Sequence, residues 1–260
     1  IPEGYIDFIP KIVPSKLFQD QFEVNPPIPI DTTWPKILTY FNNWCNEISN
    51  YPNKKRLEYY RRMYIYFVLV SYHSGIRAKE LLGEIETIYI LNKDSKWISM
   101  EVYKGGIRWC DIKLEEEDQK SKSKNIIQSL KVKIYIVDSI NGAKREVYSS
   151  IGYYLKSWKN YSIELRNRFN LPDLKYDDYV FFNPFTSKPY SYSQVNKTWI
   201  DMRNSLFCEN STSNPCKPYT LSSLRNSFIF NQIILGNDLE FLKKISGQSR
   251  GLLKHYYKSK

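Results

Sequence analysis

The feature that most constrains this chain is a change of period, made twice. Apolar residues recur at helical spacing up to about residue 82, give way to strand-type runs between 85 and 147, and return to helical spacing from 150 onward. The expected order is therefore helices, a small antiparallel sheet, then more helices, with no internal repeat.

Residues 1–31 carry prolines at 2, 10, 14, 26, 27 and 29 and no sustained period, which reads as an extended linker or arm. Residues 32–260 read as one domain. Thr32, Thr33 and Pro35 open a helix with Ile37, Leu38, Phe41, Trp44, Cys45 and Ile48 at helical spacing. A second helix follows Lys54-Lys55-Arg56, with Leu57, Tyr60, Tyr64, Phe67 and Ser71 on one face. Gly75 interrupts it, and a short helix through Lys79 to Leu82 follows. Strands are expected at Ile85–Leu91, Trp97–Tyr103, Ile107–Leu114 and Val132–Val137. Lys104-Gly105-Gly106 and Asn141-Gly142 invite hairpins, and residues 115–124, acidic and then alternating Lys and Ser, read as a solvated loop in an expanded sheet region (115–130).

Beyond residue 150, Ile151, Tyr154, Leu155, Trp158, Leu165 and Phe169 make one amphipathic face. A short strand is expected at Tyr179–Phe182. Ser191 and Gln194 form a candidate capping box for a helix carrying Val195, Trp199, Met202 and Leu206. Three short helices close the chain. The first holds Leu221, Leu224 and Phe228 and ends at Gly236, the second runs from Asp238 to Gly247, and the last from about Ser249 to Tyr257.

Charge narrows the partner. Lys and Arg number 38 against 27 Asp and Glu, a formal net charge of +11, which favours a polyanion. No apolar run reaches about 18 residues and no signal-peptide pattern is present, so membrane insertion is not expected and nucleic acid leads. The four cysteines, Cys45, Cys110, Cys208 and Cys216, form no CxxC pair, and only two histidines are present. They read as thiols of a cytoplasmic protein rather than as a zinc site.

Three separated segments carry chemistry. They are His73-Ser-Gly75-Ile-Arg77-Ala-Lys-Glu80-Leu-Leu82, then Tyr219-Thr-Leu-Ser222-Ser-Leu224-Arg225-Asn-Ser-Phe228, then Ile245-Ser-Gly247-Gln248-Ser249 followed by His255-Tyr256-Tyr257. In order and spacing they resemble the three signature boxes of the tyrosine recombinase, or phage integrase, family: "TGxRxxELL", "HxLRHTF" and "LGHSS" with its nucleophilic tyrosine. Arg225 to Gln248 is 23 residues and Gln248 to Tyr257 is nine, as that pattern expects. Asn183–Lys197 also resembles the segment preceding the family's second box.

The resemblance implies an α+β, mainly α fold, a helical bundle with a small antiparallel β-sheet on one side. It implies Arg77 and Arg225 as clamps on the scissile phosphate and Tyr257 as the nucleophile that cuts and rejoins DNA through a 3′-phosphotyrosine link. Bidentate guanidinium groups suit the geometry and developing charge of such a phosphate. A phenol, whose pKa is about 10, needs that positive surround to lose its proton. No metal or cofactor is required. Four protomers on two DNA duplexes would exchange strands, in a prokaryotic cell or a phage-infected host.

The sequence departs from the family at two histidines. Ser222 stands where the second box begins with one, and Gln248 replaces the one in the third box. Both hydrogen-bond a phosphate, but neither shuttles a proton near neutral pH. Two lysines compete for the general acid that protonates the departing 5′ oxygen. Lys104 lies 27 residues after Arg77 at a glycine turn. Yet Arg108-Trp109-Cys-Asp111-Ile112 resembles the family's "LRWxDI" segment, which makes Ile134–Val147 the lysine hairpin and Lys144 the candidate. Arg77 to Arg225 spans 148 residues, longer than the family's usual gap, so strands have been added between them. Tyr256 is the alternative nucleophile if the last helix is shifted by one residue. The competing reading is a recombinase-derived DNA-binding regulator that no longer cleaves.

Overall fold

The computed structural model describes residues 25–47, 53–91, 93, 96–114, 132–137, 144–149, 151–208, 219–248 and 253. Helix α1 (Trp34–Asn46) has Pro35 in its first turn, where a missing N–H leaves no hydrogen bond unmade, and buries Trp34, Ile37, Phe41 and Cys45. Helix α2 (Lys54–Ser74) is more buried than a single amphipathic face predicts. Met63, Tyr64, Ile65, Phe67, Val68, Leu69 and Val70 are all covered. The cause is position: α1, α4 (Gly152–Phe169) and α6 (Leu221–Ile234) all pack against α2. Trp34 stacks on Tyr72 with ring centroids 3.8 Å apart, fixing α1 to the last turns of α2.

The proline-rich entry segment is held to the core from Asn25 onward. Ile28 and Ile30 are buried, and the Ile28 N–H donates to Ser227 Oγ at 2.7 Å. Asn226 Nδ2 donates to the Asn25 carbonyl at 2.7 Å. Its prolines set an extended path, and α6 offers that path a surface.

Strands β1 (Glu84–Leu91) and β2 (Trp97–Lys104) form a two-stranded antiparallel hairpin. Tyr89, Leu91 and Trp97 near its turn are exposed, and Lys188 pairs with Glu101 at 2.8 Å closer to its base. A separate sheet has the order β3-β4-β5, from Ile112–Leu114, Val132–Val137 and Lys144–Ser149. Strands β4 and β5 pair antiparallel up to Val137 and Lys144, while Asn141-Gly142, where a hairpin turn is expected, lies outside the described residues.

Two expectations are corrected here. Lys104-Gly105-Gly106 does not turn a hairpin, and of Ile107–Leu114 only Ile112–Leu114 is strand, preceded by a 3-10 turn at Trp109–Asp111. A Cβ on Gly106 would lie 2.9 Å from the Gly83 Cα and 2.8 Å from the Tyr179 ring, with φ at +76°. The two glycines therefore carry the chain through a tight crossing. Beyond them Ile107 donates to the Leu81 carbonyl, Val180 to Ile107, and Trp109 to Asp178. These bonds leave residues 107–109 nothing to share with β2. The strand expected at Tyr179–Phe182 is reduced to one bridge at Tyr179 and the short β6 (Phe182–Asn183), paired with β7 (Lys188–Pro189).

Helix α5 (Tyr192–Phe207) is capped by Ser191, whose side chain accepts from the Gln194 N–H. Helix α7 (Leu239–Ser246) is capped by Asp238 and ends at a left-handed Gly247, as expected. Helices α6 and α7 share a second apolar cluster of Phe228, Ile229, Ile233, Leu242 and Ile245, which Leu253 joins. Cys45 and Cys110 are free thiols, but Cys208 is disulfide-bonded. This corrects the reading of all four cysteines as thiols: their spacing along the chain forms no CxxC pair, whereas a disulfide requires only proximity in space.

Candidate active site

The first and third signature segments are built on the same local device. Helix α2 ends at Ser74, Gly75 takes φ +66°, and the Ile76 N–H bonds back to Ser74 Oγ at 3.2 Å. Helix α7 ends at Ser246, Gly247 takes φ +64°, and the Gln248 N–H bonds back to Ser246 Oγ at 3.2 Å. Glycine adopts this left-handed turn without steric penalty, and the buried serine satisfies the next amide. A Cβ on Gly75 would meet Phe228 Cδ1 at 2.3 Å. The first segment therefore seats directly on α6, one helical turn from Arg225.

Arg77 follows as the N-cap of α3 (Ala78–Leu82). Its backbone N–H donates to Glu80 Oε2 at 2.8 Å, and its Nη1 to Glu80 Oε1 at 3.0 Å. The Glu80 side chain is fully buried while that of Arg77 is 27% exposed. The carboxylate is thus sealed beneath a guanidinium that still reaches the surface.

A second arginine completes the pair from the far side. Arg145 on β5 donates from Nη2 to Glu80 Oε2 at 2.6 Å and from Nη1 to the Ile245 carbonyl at 2.5 Å. Arg225 on α6, itself buried, donates from Nη2 to the Ser246 carbonyl. Ile245 and Ser246 close α7, where carbonyls lack intrahelical partners and carry the negative end of the helix dipole. Two guanidinium groups from different elements thus cap one helix. A continuous path runs Arg77, Glu80, Arg145, the end of α7, Arg225.

Gln248 is buried just past this turn, and its Oε1 has no hydrogen-bond partner among the described residues. Ser222 is exposed in the first turn of α6. Lys144 is exposed at the start of β5, on the opposite face from Arg145, since strand side chains alternate. Lys104 ends β2 opposite Glu84, and a Cβ on the adjacent Gly105 would lie 3.5 Å from the Lys79 carbonyl. Tyr257, Tyr256 and His255 lie outside the described residues. Leu253, four residues before Tyr257, is buried against α6 and α7. His73 stacks on Tyr154 at 5.1 Å, and burial pushes its pKa down to about 4.

Arg145 belongs to none of the three signature segments. It lies in Lys144-Arg-Glu-Val-Tyr-Ser149, a segment that the sequence singles out only for Lys144. The signal was the partnership of β4 and β5: Arg145 opposes Ile136, and Val147 opposes Ile134, all on the covered face. Among the described residues no group of three or more His, Cys, Asp or Glu side chains is disposed to hold a metal ion. No described helix is long and apolar enough to cross a membrane.

No family model and no curated protein sequence matches the chain. Solved structures do. The XerH site-specific recombinase, in a pre-cleavage complex with its difH substrate, superposes over 90% of this chain and 51% of its own, with 14% identity and a TM-score of 0.50. An integrase of the Tn1549 transposon, in complex with transposon right-end DNA, is similar over 92% of this chain and 63% of its own, at 11% identity and a TM-score of 0.46. The fold assignment rests on XerH, of which this chain spans about half. The mainly helical α+β recombinase fold expected from the three segments is the fold observed.

Proposed function

We propose that this chain carries the strand-cutting and rejoining centre of a tyrosine recombinase, an integrase of a phage or other mobile element. The observation that supports it best is the linked pair of arginines: Arg77 and Arg225 converge through Glu80, Arg145 and the end of α7. Both belong to motifs whose order matches the family, and the fold is that of a site-specific recombinase.

In this reading the two guanidinium groups bind the non-bridging oxygens of one DNA phosphate and stabilise its pentacovalent transition state. Tyr257 gives its proton to water, and its oxygen bonds to phosphorus as the bond to the 5′ oxygen breaks. That oxygen takes a proton from lysine and leaves as a hydroxyl. In the reverse step the 5′ hydroxyl attacks the phosphotyrosine and releases Tyr257. The bond count is conserved, so rejoining draws on no nucleotide triphosphate.

Leu253 is docked on α6 and α7, and four residues span at most about 14 Å. That range suits a tyrosine serving a phosphate held by Arg225. For the general acid we favour Lys144. The segment Arg108–Ile112 leads directly into the β3-β4-β5 sheet, as the family's lysine hairpin requires, and Lys144 stands exposed at the start of β5. Gln248 donates a hydrogen bond to the phosphate in place of histidine, and Ser222 does so from the second segment. Recombination would proceed on duplex DNA, with four protomers of the whole protein exchanging strands.

The test is a pool of nicked duplexes that trap the covalent intermediate. Wild-type protein should yield an adduct on denaturing gels, and Tyr257→Phe should yield none. If Tyr257→Phe still forms it and Tyr256→Phe does not, the nucleophile is Tyr256. DNA binding with no adduct at any pH would instead support the regulator reading, which the replacement of two histidines by Ser222 and Gln248 favours.

A further inference from the structure

The second arginine on Glu80 has no counterpart in the motifs above. Arg145 reaches Glu80 across 65 residues of sequence and Ile245 across 100. It occupies the covered face of β5 with aliphatic neighbours, Ile134, Ile136 and Val147. A Cβ on Gly247 would lie 3.0 Å from its Nε and 3.2 Å from its Cδ, so the guanidinium lies against the turn that presents Gln248.

Charge explains why an arginine belongs there. Among Arg77, Glu80 and Arg145 there are two guanidinium groups and one carboxylate, a net charge of one positive. Glu80 is fully buried, and a buried carboxylate must be compensated by whatever donors it reaches. With Arg145 on Oε2, the carboxylate is compensated from below. Without it, Arg77 alone would have to neutralise Glu80, and the three-residue group would present no net charge to a phosphate.

We infer that Arg145 is a positioning residue that balances the buried Glu80 carboxylate, so that the charge of Arg77 serves the DNA phosphate. This rests on the phosphate-site reading of Arg77. Arg145 acts through Glu80 and touches no reacting atom. The contact with the Ile245 carbonyl fixes where its guanidinium sits and ties the β4–β5 hairpin to the third signature segment.

The test is a charge cycle with two readouts, adduct formation on the nicked pool and the salt dependence of binding to short random-sequence duplex. Arg145→Met should slow adduct formation roughly a hundredfold. It should also reduce the slope of log affinity against log salt by about 0.9, one phosphate contact. Adding Glu80→Gln removes the carboxylate that captures Arg77, and most of both losses should return. A purely structural role for Arg145 gives no such rescue, so a double variant no better than Arg145→Met overturns the inference. An Arg145→Met protein indistinguishable from wild type does the same. If Arg145→Met fails to fold, Arg145→Lys takes its place: the salt slope should hold while the rate falls, and a lost slope counts against charge balance. If wild-type protein binds DNA but forms no adduct, the recombinase reading fails, while the salt slopes of the same variants still decide the role of Arg145.

Discussion

Arg145 and Arg225 hold the carbonyls of consecutive residues, Ile245 and Ser246, at the end of α7. One guanidinium arrives from the sheet and the other from α6. The end of a short helix therefore fixes the sheet against the helical body, at the point where Gln248 begins the last segment of the chain. Moving either arginine moves the same turn.

Arg225→Lys keeps the charge but not the planar fork that holds the Ser246 carbonyl and, in the proposed function, a phosphate with it. Adduct formation on the nicked pool should fall about 10²–10³-fold, the usual effect of removing one preorganised donor. Retention of the wild-type rate would mean that Arg225 serves the end of α7 alone.

Gly75→Ala combines a left-handed φ with a Cβ 2.3 Å from the Phe228 ring. Denaturant unfolding should register a loss of about 2–4 kcal/mol, from the conformation and the overlap together. Phe228→Leu in the same protein should return the overlap part but not the conformational part, visible as coupling in a double-mutant cycle.

If Lys144 protonates the departing 5′ oxygen, Lys144→Ala should slow cleavage about 10²–10⁴-fold. A substrate with sulfur at that bridging position needs no proton to leave and should restore the rate. Lys104→Ala should leave both substrates unaffected. The opposite pattern assigns the role to Lys104.

His73 is held neutral, with a pKa lowered to about 4 by burial beside Tyr154 and Tyr72. The unfolded chain, titrating near 6.5, binds more protons between those values. Stability should therefore be constant above pH 6.5 and decline as pH falls toward 4, by at most about 1.4 kcal/mol per pH unit. His73 as a residue is only partly buried, so the measured slope should lie below that ceiling. His73→Phe retains the stacking and should flatten this part of the profile relative to wild type.

Much of the site was legible one segment at a time. Gly75, Arg77 and Glu80 are close enough in sequence for a turn and a capping interaction to fix their geometry, and Asp238 and Gly247 bracket α7 by the same local rules. The order of helices and strands followed from period alone. Where Gly105-Gly106 would lead did not, because positive φ suits a crossing as well as a hairpin. The choice fell to Gly83, Tyr179 and Leu81, which are distant in sequence or belong to another element.

Sequence by itself determined the residue types, the spacing of the three signature segments and the turns that present them. Tertiary structure alone decided that Arg145 lies on the covered face of β5, against Glu80, and Lys144 on its exposed face. Side chains alternate along a strand, so a shift of one residue in the pairing of β4 and β5 exchanges those two roles. That register is set by the burial of Ile134, Ile136 and Val147 and by the buried carboxylate of Glu80 on the far side. Local sequence fixes neither, because both depend on what the sheet is packed against.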